Sequence, residues 1–253
     1  MDLSHKRFPI FNTFVDALTM DETVEAIEEI IRIGKPTQHV VINASKINLM
    51  QKDERLTRIV NECPIINADG ASILWAAKIL NIPVKERVTG IDLFLRLIEK
   101  ANEKGYRVFL FGAREEVVNR VADIFKDKYK NLKIAGVRNG YFSETEGKTI
   151  AEEIRDAKPH MVFVAFSSPK KEYWIKKYLK VMDVPFVMGV GGSFDVVAGV
   201  TERAPLWMQK FGLEWFYRFV QEPGRMWKRY IIGNFKFVCL TIKTRLRKEK
   251  NKW

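Results

Sequence analysis

Six short, mostly apolar runs alternate with longer amphipathic segments across the first 200 residues, and few folds accommodate that pattern. The runs are His39–Asn43, Pro64–Asn67, Arg107–Phe111, Leu132–Val137, Met161–Phe166 and Pro185–Val190. Each is too short for a helix, and each reads as a strand. The segments between them carry apolar residues three and four apart, as in Ile91-Leu95-Ile98 and Val117-Val121-Ile124. Thr19 followed by Glu22 reads as a capping box that opens the first long helix. Strands alternating with helices imply βαβ units, hence an α/β protein with a mostly parallel, Rossmann-like sheet covered by helices on both faces.

Parallel sheets of this kind bind ligands at the carboxyl ends of their strands, near the point where the strand order reverses. That rule selects the loops at Asn43-Ala44-Ser45-Lys46, Ala68-Asp69-Gly70, Phe111-Gly112-Ala113, Asn139-Gly140-Tyr141, Ser167-Ser168-Pro169-Lys170 and Gly189 to Asp195. Small and polar residues dominate them, as expected of a rim that faces a ligand.

The composition changes after Arg203. Residues 204–253 hold twelve Lys/Arg against Glu214, Glu222 and Glu249, so a local charge of +9 accounts for most of the net +12. The same stretch carries 11 of the 30 aromatic residues. Pro205 suits the first turn of a helix, which is expected to run to about Gln221. Glu222-Pro223-Gly224 breaks it, and a second helical segment starts at Arg225. The chain therefore divides into a catalytic-type α/β domain, 1–203, and a basic helical appendage, 204–253. The appendage has too many aromatics and aliphatics for a simple phosphate-binding arm, which argues against nucleic acid. It fits an interfacial face whose Lys and Arg reach anionic headgroups. Its most apolar stretch, Tyr230 to Ile242, is short and interrupted by Gly233, Asn234 and Lys236, so peripheral docking is expected and not insertion. Two cysteines, Cys63 and Cys239, make no disulfide framework, and no signal peptide is apparent; both fit a cytoplasmic compartment.

Several residues have two readings each. Gly189-Val-Gly-Gly-Ser-Phe-Asp195 suits a phosphate loop but matches neither G-x-G-x-x-G nor a Gly-Lys-Ser/Thr motif, so it is equally a tight strand-to-helix turn. Asp195 could accept from a base N–H, and Arg203 could pair with phosphate oxygens. Asp69 reads first as an N-cap or turn aspartate before the helix Ala71–Leu80. Its other reading is a general base at a strand end. Arg87 is a surface arginine beside a helix cap or an anion clamp, and Tyr141 is a strand-end aromatic or a stacking platform for a base. His5, His39 and His160 are scattered and share no metal-ligand spacing with the cysteines. No acyl-nucleophile elbow and no loop D-x-D pair occurs, so a metal-independent reaction without a cofactor is expected. The missing G-x-G-x-x-G argues against a nucleotide-dependent oxidoreductase, and the aromatics of the tail argue against a nucleic-acid adaptor.

In order and spacing the motifs from about residue 8 to 235 resemble the WecG/TagA/CpsF glycosyltransferases, a bacterial family acting on polyprenyl-diphosphate-linked sugars. The resemblance rests on Ile42-Asn43-Ala44, Asp69-Gly70, Glu86-Arg87-Val88-x-Gly90-x-Asp92, Gly140-Tyr141-Phe142 and Pro169-Lys170-x-Glu172. It continues through GVGGSFDVVAG, Arg203-Ala204-Pro205, Gly212-Leu213-Glu214-Trp215 with Tyr217-Arg218, and Glu222-Pro223-x-Arg225. It implies inverting transfer of an N-acetylmannosamine-type sugar, or its uronic acid, from a UDP donor. The acceptor implied is the C4 hydroxyl of N-acetylglucosamine on undecaprenyl diphosphate, in the synthesis of teichoic-acid linkage units or other surface polysaccharide. A different UDP-hexose donor for capsule is the alternative.

By the same resemblance Asp69 is the base, and Asn43, Gly70, Arg87, Gly112, Tyr141, Lys171, Gly191, Gly192, Ser193 and Asp195 line the UDP-sugar site. Arg203, Arg218, Arg225 and Arg229 would face the lipid diphosphate or the anionic inner face of the cell membrane. Two departures from relatives stand out. Val41-Ile42-Asn43 replaces a Thr-Pro-Asn common among linkage-unit enzymes, and Lys171 replaces a glutamine, adding a cation that favours an acidic sugar or points to solvent. A chain without its tail would expose apolar surface, so self-association into a homo-oligomer belongs among the expected partnerships.

Overall fold

A computed structural model describes residues 6–221, 223–227 and 231–250, with 210, 225, 226 and 248–250 described by backbone alone. The chain opens with strands β1 (Arg7–Ile10) and β2 (Thr13–Asp16), which pair as an antiparallel hairpin. There follow α1 (Met20–Ile33), β3 (Thr37–Ile42), α2 (Ala44–Met50), α3 (Glu54–Asn61), β4 (Ile66–Ala68), α4 (Ala71–Ile79) and α5 (Gly90–Lys104). Next come β5 (Arg107–Gly112), α6 (Glu115–Lys128), β6 (Lys133–Arg138), a 3-10 turn (Glu144–Glu146), α7 (Gly147–Asp156), β7 (Met161–Ala165), α8 (Lys170–Met182) and β8 (Phe186–Gly189). The last quarter is helical: α9 (Ser193–Val197), α10 (Leu206–Lys210), α11 (Glu214–Gln221), α12 (Pro223–Trp227) and α13 (Gly233–Lys250).

All six expected strands form, in one parallel sheet of order β4-β3-β8-β7-β5-β6. Their side chains are buried on both faces along β3, β4 and β7, which explains why the sequence shows apolar runs there and no alternation. The capping box is present: Thr19 Oγ1 accepts from Glu22 N, and Glu22 Oε2 accepts from Thr19 N at 2.8 Å. Because β3 lies between β4 and β8, the chain turns to opposite sides of β3, and the strand order reverses between β3 and β8. The loops after β3, β4 and β8 thus meet where such folds bind their ligands.

The hairpin of residues 7–16 was not legible as strands. Arg7 holds it to the sheet: its guanidinium donates to both carboxylate oxygens of Asp16 at 2.7 and 2.9 Å, and Asp16 Oδ2 accepts from Ile66 N at 2.6 Å.

The tail departs from expectation in two helix boundaries. Pro223 and Gly224, expected to break the helix before Arg225, lie inside α12, where Pro223 takes the first position that tolerates its missing N–H. A continuous helix from Pro205 to Gln221 does not form; α10 ends at Lys210, and α11 restarts at Glu214. Gly212 is the reason. It takes a left-handed φ of +72°, and a Cβ there would come within 2.7 Å of Ala71 Cβ, so the turn is pressed against the start of α4. Helix α13 then returns to the domain. Phe237 and Thr241 are fully buried, the Phe237 ring meets Phe11 edge-on at 5.4 Å, and Asn48 Nδ2 donates to Gly233 O at 2.7 Å. Phe237 is thus part of the core around Ile47, Ile73 and Ala76.

We expect Phe237→Ala to destabilise the whole domain by about 3–5 kcal/mol. Urea unfolding followed by circular dichroism checks this; an unchanged midpoint would mean that α13 does not share the core.

Candidate active site

The site is assembled from loop ends that the sheet brings to one edge. Asp69 directly follows β4, and it does not cap the next helix: the N-cap of α4 is Gly70, which makes no side-chain cap bond. Instead Asp69 Oδ1 accepts from Gly90 N at 2.8 Å, and Oδ2 accepts from Asn43 Nδ2 at 3.1 Å. Gly90 opens α5, so its N–H is one of the donors a helix start leaves without an intrahelical partner. Asn43 uses its other amide atom to cap α2, Oδ1 accepting from Lys46 N at 3.0 Å. A half-buried carboxylate is therefore fixed by two donors, one from the cap of α2 and one from the first turn of α5.

Beneath this rim lies a buried cluster of charge. Lys46 Nζ stands 2.6 Å from Glu172 Oε1, with side-chain exposures of 3% and 2%. Ser168 Oγ donates to the same oxygen at 3.0 Å. Burial alone would raise the Glu172 carboxyl, but the charges of Lys46 and Lys171 outweigh it and hold it below the usual carboxylate range. Burial pushes the imidazole of neighbouring His39 down to about 4, so it is neutral at physiological pH, and its Nε2 is bonded to Asn67 Oδ1 at 2.7 Å. Lys46 and Glu172 escaped sequence reasoning as functional residues, since charges on helices ordinarily face water. The Pro-Lys-x-Glu spacing was the available signal.

Lys171 does not point to solvent. Its stem runs so close to β8 that a Cβ on Gly189 would lie 2.7 Å from Lys171 Cδ, and one on Gly191 would lie 3.5 Å from Nζ. The loop itself requires glycine at Gly191, whose φ is +58°. Ser193 Oγ is turned inward onto Val190 O at 2.8 Å. A Cβ at Gly192 would come within 3.7 Å of Asp195 Oδ2 and 3.8 Å of Arg218 Nη2. Arg218 of the tail, expected to face the lipid side, thus stands at the glycine loop. Tyr141 is 73% exposed on the rim, free to offer a ring face. Gly112 has a packing role of its own, for a Cβ there would strike the Ala165 backbone at 2.8 Å.

Arg87 and Arg203 meet at the junction of domain and tail. Arg87 Nη1 donates to Glu214 Oε2 at 2.8 Å, while Arg203 forms ion pairs with Asp92 Oδ1 at 2.7 Å and Glu214 Oε1 at 3.7 Å. Arg87 is therefore no isolated surface arginine. Arg229 and the side chain of Arg225 lie outside the described residues. Among the described residues no cluster of three His, Cys, Asp or Glu side chains could hold a metal ion.

A doubly wound sheet with a fixed carboxylate and a glycine loop near its switch point is the arrangement in which α/β enzymes hold their ligands. Comparison with known proteins is specific. The chain matches the glycosyl transferase WecG/TagA/CpsF family over residues 8–251 and belongs to it; it is a glycosyltransferase. It is similar to an N-acetylglucosaminyldiphosphoundecaprenol N-acetyl-beta-D-mannosaminyltransferase of Bacillus subtilis, 36% identical over 79% of this chain and 75% of the relative. A protein of the same name from Bacillus spizizenii is 34% identical over 76% of this chain and 73% of its own length. One from Staphylococcus aureus is 29% identical over 93% and 92%.

Two stability predictions follow from the buried pair. Lys46→Met leaves the buried Glu172 charge with only Lys171, at 4.0 Å, and should cost about 3 kcal/mol, whereas Lys46→Met with Glu172→Leu should cost less than that single change. Because the folded-state pKa of Glu172 is lowered, its contribution is complete above the ordinary glutamate value and is lost as pH falls through the folded value. Urea midpoints measured from pH 7 to 3 should show a steeper acid decline for the wild type than for Glu172→Gln; parallel curves would contradict it.

Proposed function

We propose that this chain is an inverting, metal-independent transferase. It moves N-acetylmannosamine from UDP to the C4 hydroxyl of N-acetylglucosamine on undecaprenyl diphosphate, at the cytoplasmic face of the membrane. The observation that carries the reading is the Asp69 carboxylate, held by Gly90 and Asn43 at the switch point of the sheet. The names of the relatives favour the neutral sugar over its uronic acid.

The chemistry is a single displacement. Asp69 takes the proton of the acceptor hydroxyl as that oxygen attacks the anomeric carbon. The bond to the β-phosphate oxygen breaks, and UDP leaves with the electron pair. Inversion at the anomeric carbon follows from attack on the opposite face. The glycine loop, Asp195, Lys171 and Arg218 would receive the nucleotide diphosphate, with Tyr141 beside the base. Arg87 and Arg203 supply positive charge where the two diphosphates approach.

Membrane docking is supported by the outward side of the tail. Leu206, Trp207, Phe211, Phe216, Val220 and Phe235 are each 46–77% exposed, within a segment of charge +9. Among the described residues no helix is long and apolar enough to cross a membrane.

Asp69→Asn should lower turnover by about 10²–10⁴-fold with donor affinity nearly intact, measured with UDP-N-acetylmannosamine and a short-chain polyprenyl-diphosphate-GlcNAc acceptor. Wild-type turnover would remove Asp69 as the base, and no transfer from any UDP-HexNAc or its uronic acid would reject the reading as a whole. Transfer should persist in excess EDTA; its abolition, reversed by a divalent ion, would refute metal independence. Replacing Leu206, Trp207 and Phe211 together by Glu should release the protein from vesicles containing anionic lipid, as read by co-sedimentation, and undiminished binding would rule out this face.

A further inference from the structure

Glu214 is the one acidic residue of the described tail that faces two arginines of the domain side. Its two carboxylate oxygens divide between them: Oε2 accepts from Arg87 Nη1 at 2.8 Å, and Oε1 lies 3.7 Å from Arg203 Nε. Arg203 continues the chain of charge to Asp92, at 2.7 Å, in the first turn of α5. Arg87 and Asp92 flank Gly90, whose N–H is bonded to Asp69. The segment that presents this N–H to the carboxylate is therefore gripped on both sides by groups tied to Glu214.

Helix α11 carries the grip further. Arg218 is four residues after Glu214, so the two lie on one side of the helix. Arg218 Nη2 stands beside Gly192, while Glu214 meets Arg87. Tyr217, on the same side, donates from its hydroxyl to Glu202 Oε2 at 3.0 Å. One polar face of α11 thus spans the Arg87–Asp92 segment and the glycine loop together.

We propose that Glu214 is a positioning residue: by clasping Arg87 and Arg203 it seats α11 so that Arg218 is delivered to the glycine loop and the Gly90–Asp69 contact is held in register. The proposal rests on the reading of Asp69 as base and of the glycine loop as donor site. The clasp acts through other residues, and Glu214 itself touches neither reacting group. It makes the tail necessary for chemistry even when the acceptor is water-soluble and no membrane is present. The side chains of the clasp are 20–38% exposed, so it is held by geometry and several contacts more than by burial.

The test uses the full chain, UDP-N-acetylmannosamine and a short-chain acceptor in vesicle-free buffer. Glu214→Ala should lower kcat/KM by about 10²-fold, the scale of a misplacement near 1 Å, with vesicle co-sedimentation unchanged. Glu214→Gln, which keeps a hydrogen-bond acceptor for Arg87, should lose less and guards against a folding defect in the alanine variant. In a double-mutant cycle, Glu214→Ala added to Arg218→Ala should cause a smaller loss than Glu214→Ala does alone, because part of the effect of the clasp runs through Arg218. Wild-type kcat/KM in Glu214→Ala, or losses that multiply fully in the double variant, would overturn the proposal. Asp69→Asn in the same assay reports on the chemistry alone. If it is impaired while Glu214→Ala is not, the clasp fails and the transferase reading stands; if Asp69→Asn turns over normally, it is the base assignment that fails.

Discussion

An ion pair sealed from water, Lys46 with Glu172, joins the two halves of the sheet's functional edge. Lys46 belongs to α2, whose cap Asn43 also holds Asp69; Glu172 belongs to the first turn of α8, beside Lys171 and the glycine loop. Such a pair is a poor source of stability, since taking two charges out of water costs about as much as their attraction returns. What it does impose is direction. An unpaired charge in that interior is so unfavourable that α2 and α8 are held to the one relative placement that joins them. The Asp69 side and the glycine-loop side of the rim are thereby fixed to each other.

Local features of the chain were legible because local physics produces them. The six strands announce themselves by continuous apolar runs, and the Thr19–Glu22 box by a hydrogen-bond pattern contained within four residues. Failures occur where the deciding contact is distant. Asp69 reads as a cap for the helix that follows it, and only the fold reveals that its partner is Gly90, 21 residues on. Gly212 looks like one tolerable glycine in an apolar helical pattern; its left-handed φ and its contact with Ala71 belong to tertiary structure. The β1–β2 hairpin turns at Phe11 with a φ of +54°, where no glycine or Asn-Gly pair marks it. Lys46 and Glu172 look like ordinary surface charges until α2 and α8 are packed.

The positive charge of the tail was read as one outward-facing property, and it divides into two. Arg203, at the boundary of the tail, is engaged by Asp92 and Glu214, and Arg218 reaches the glycine loop. These cations serve the edge of the sheet. The outer side of α10 and α11 is apolar, whereas on α13 Lys243 and Arg247 lie beside the exposed Ile242 and Leu246. Helix α13 separates the same two tasks around its circumference, with Phe237 and Thr241 buried in the domain and Ile242 and Leu246 at least half exposed.

Helix α11 states the case most sharply, because its amphipathicity is inverted. Glu214, Tyr217, Arg218 and Gln221, spaced as one helical face, bind or approach groups of the domain, whereas Trp215, Phe216 and Val220 are 40–62% exposed. A helix on a water-facing surface turns its apolar stripe inward. The reverse arrangement requires polar partners on the inside, and α11 has them in Arg87, Arg203 and Glu202. Turning the aromatics inward would cost Glu214 its contacts with Arg87 and Arg203. The contacts of the tail with the edge of the sheet and the outward aromatic face are consequences of one orientation of one helix.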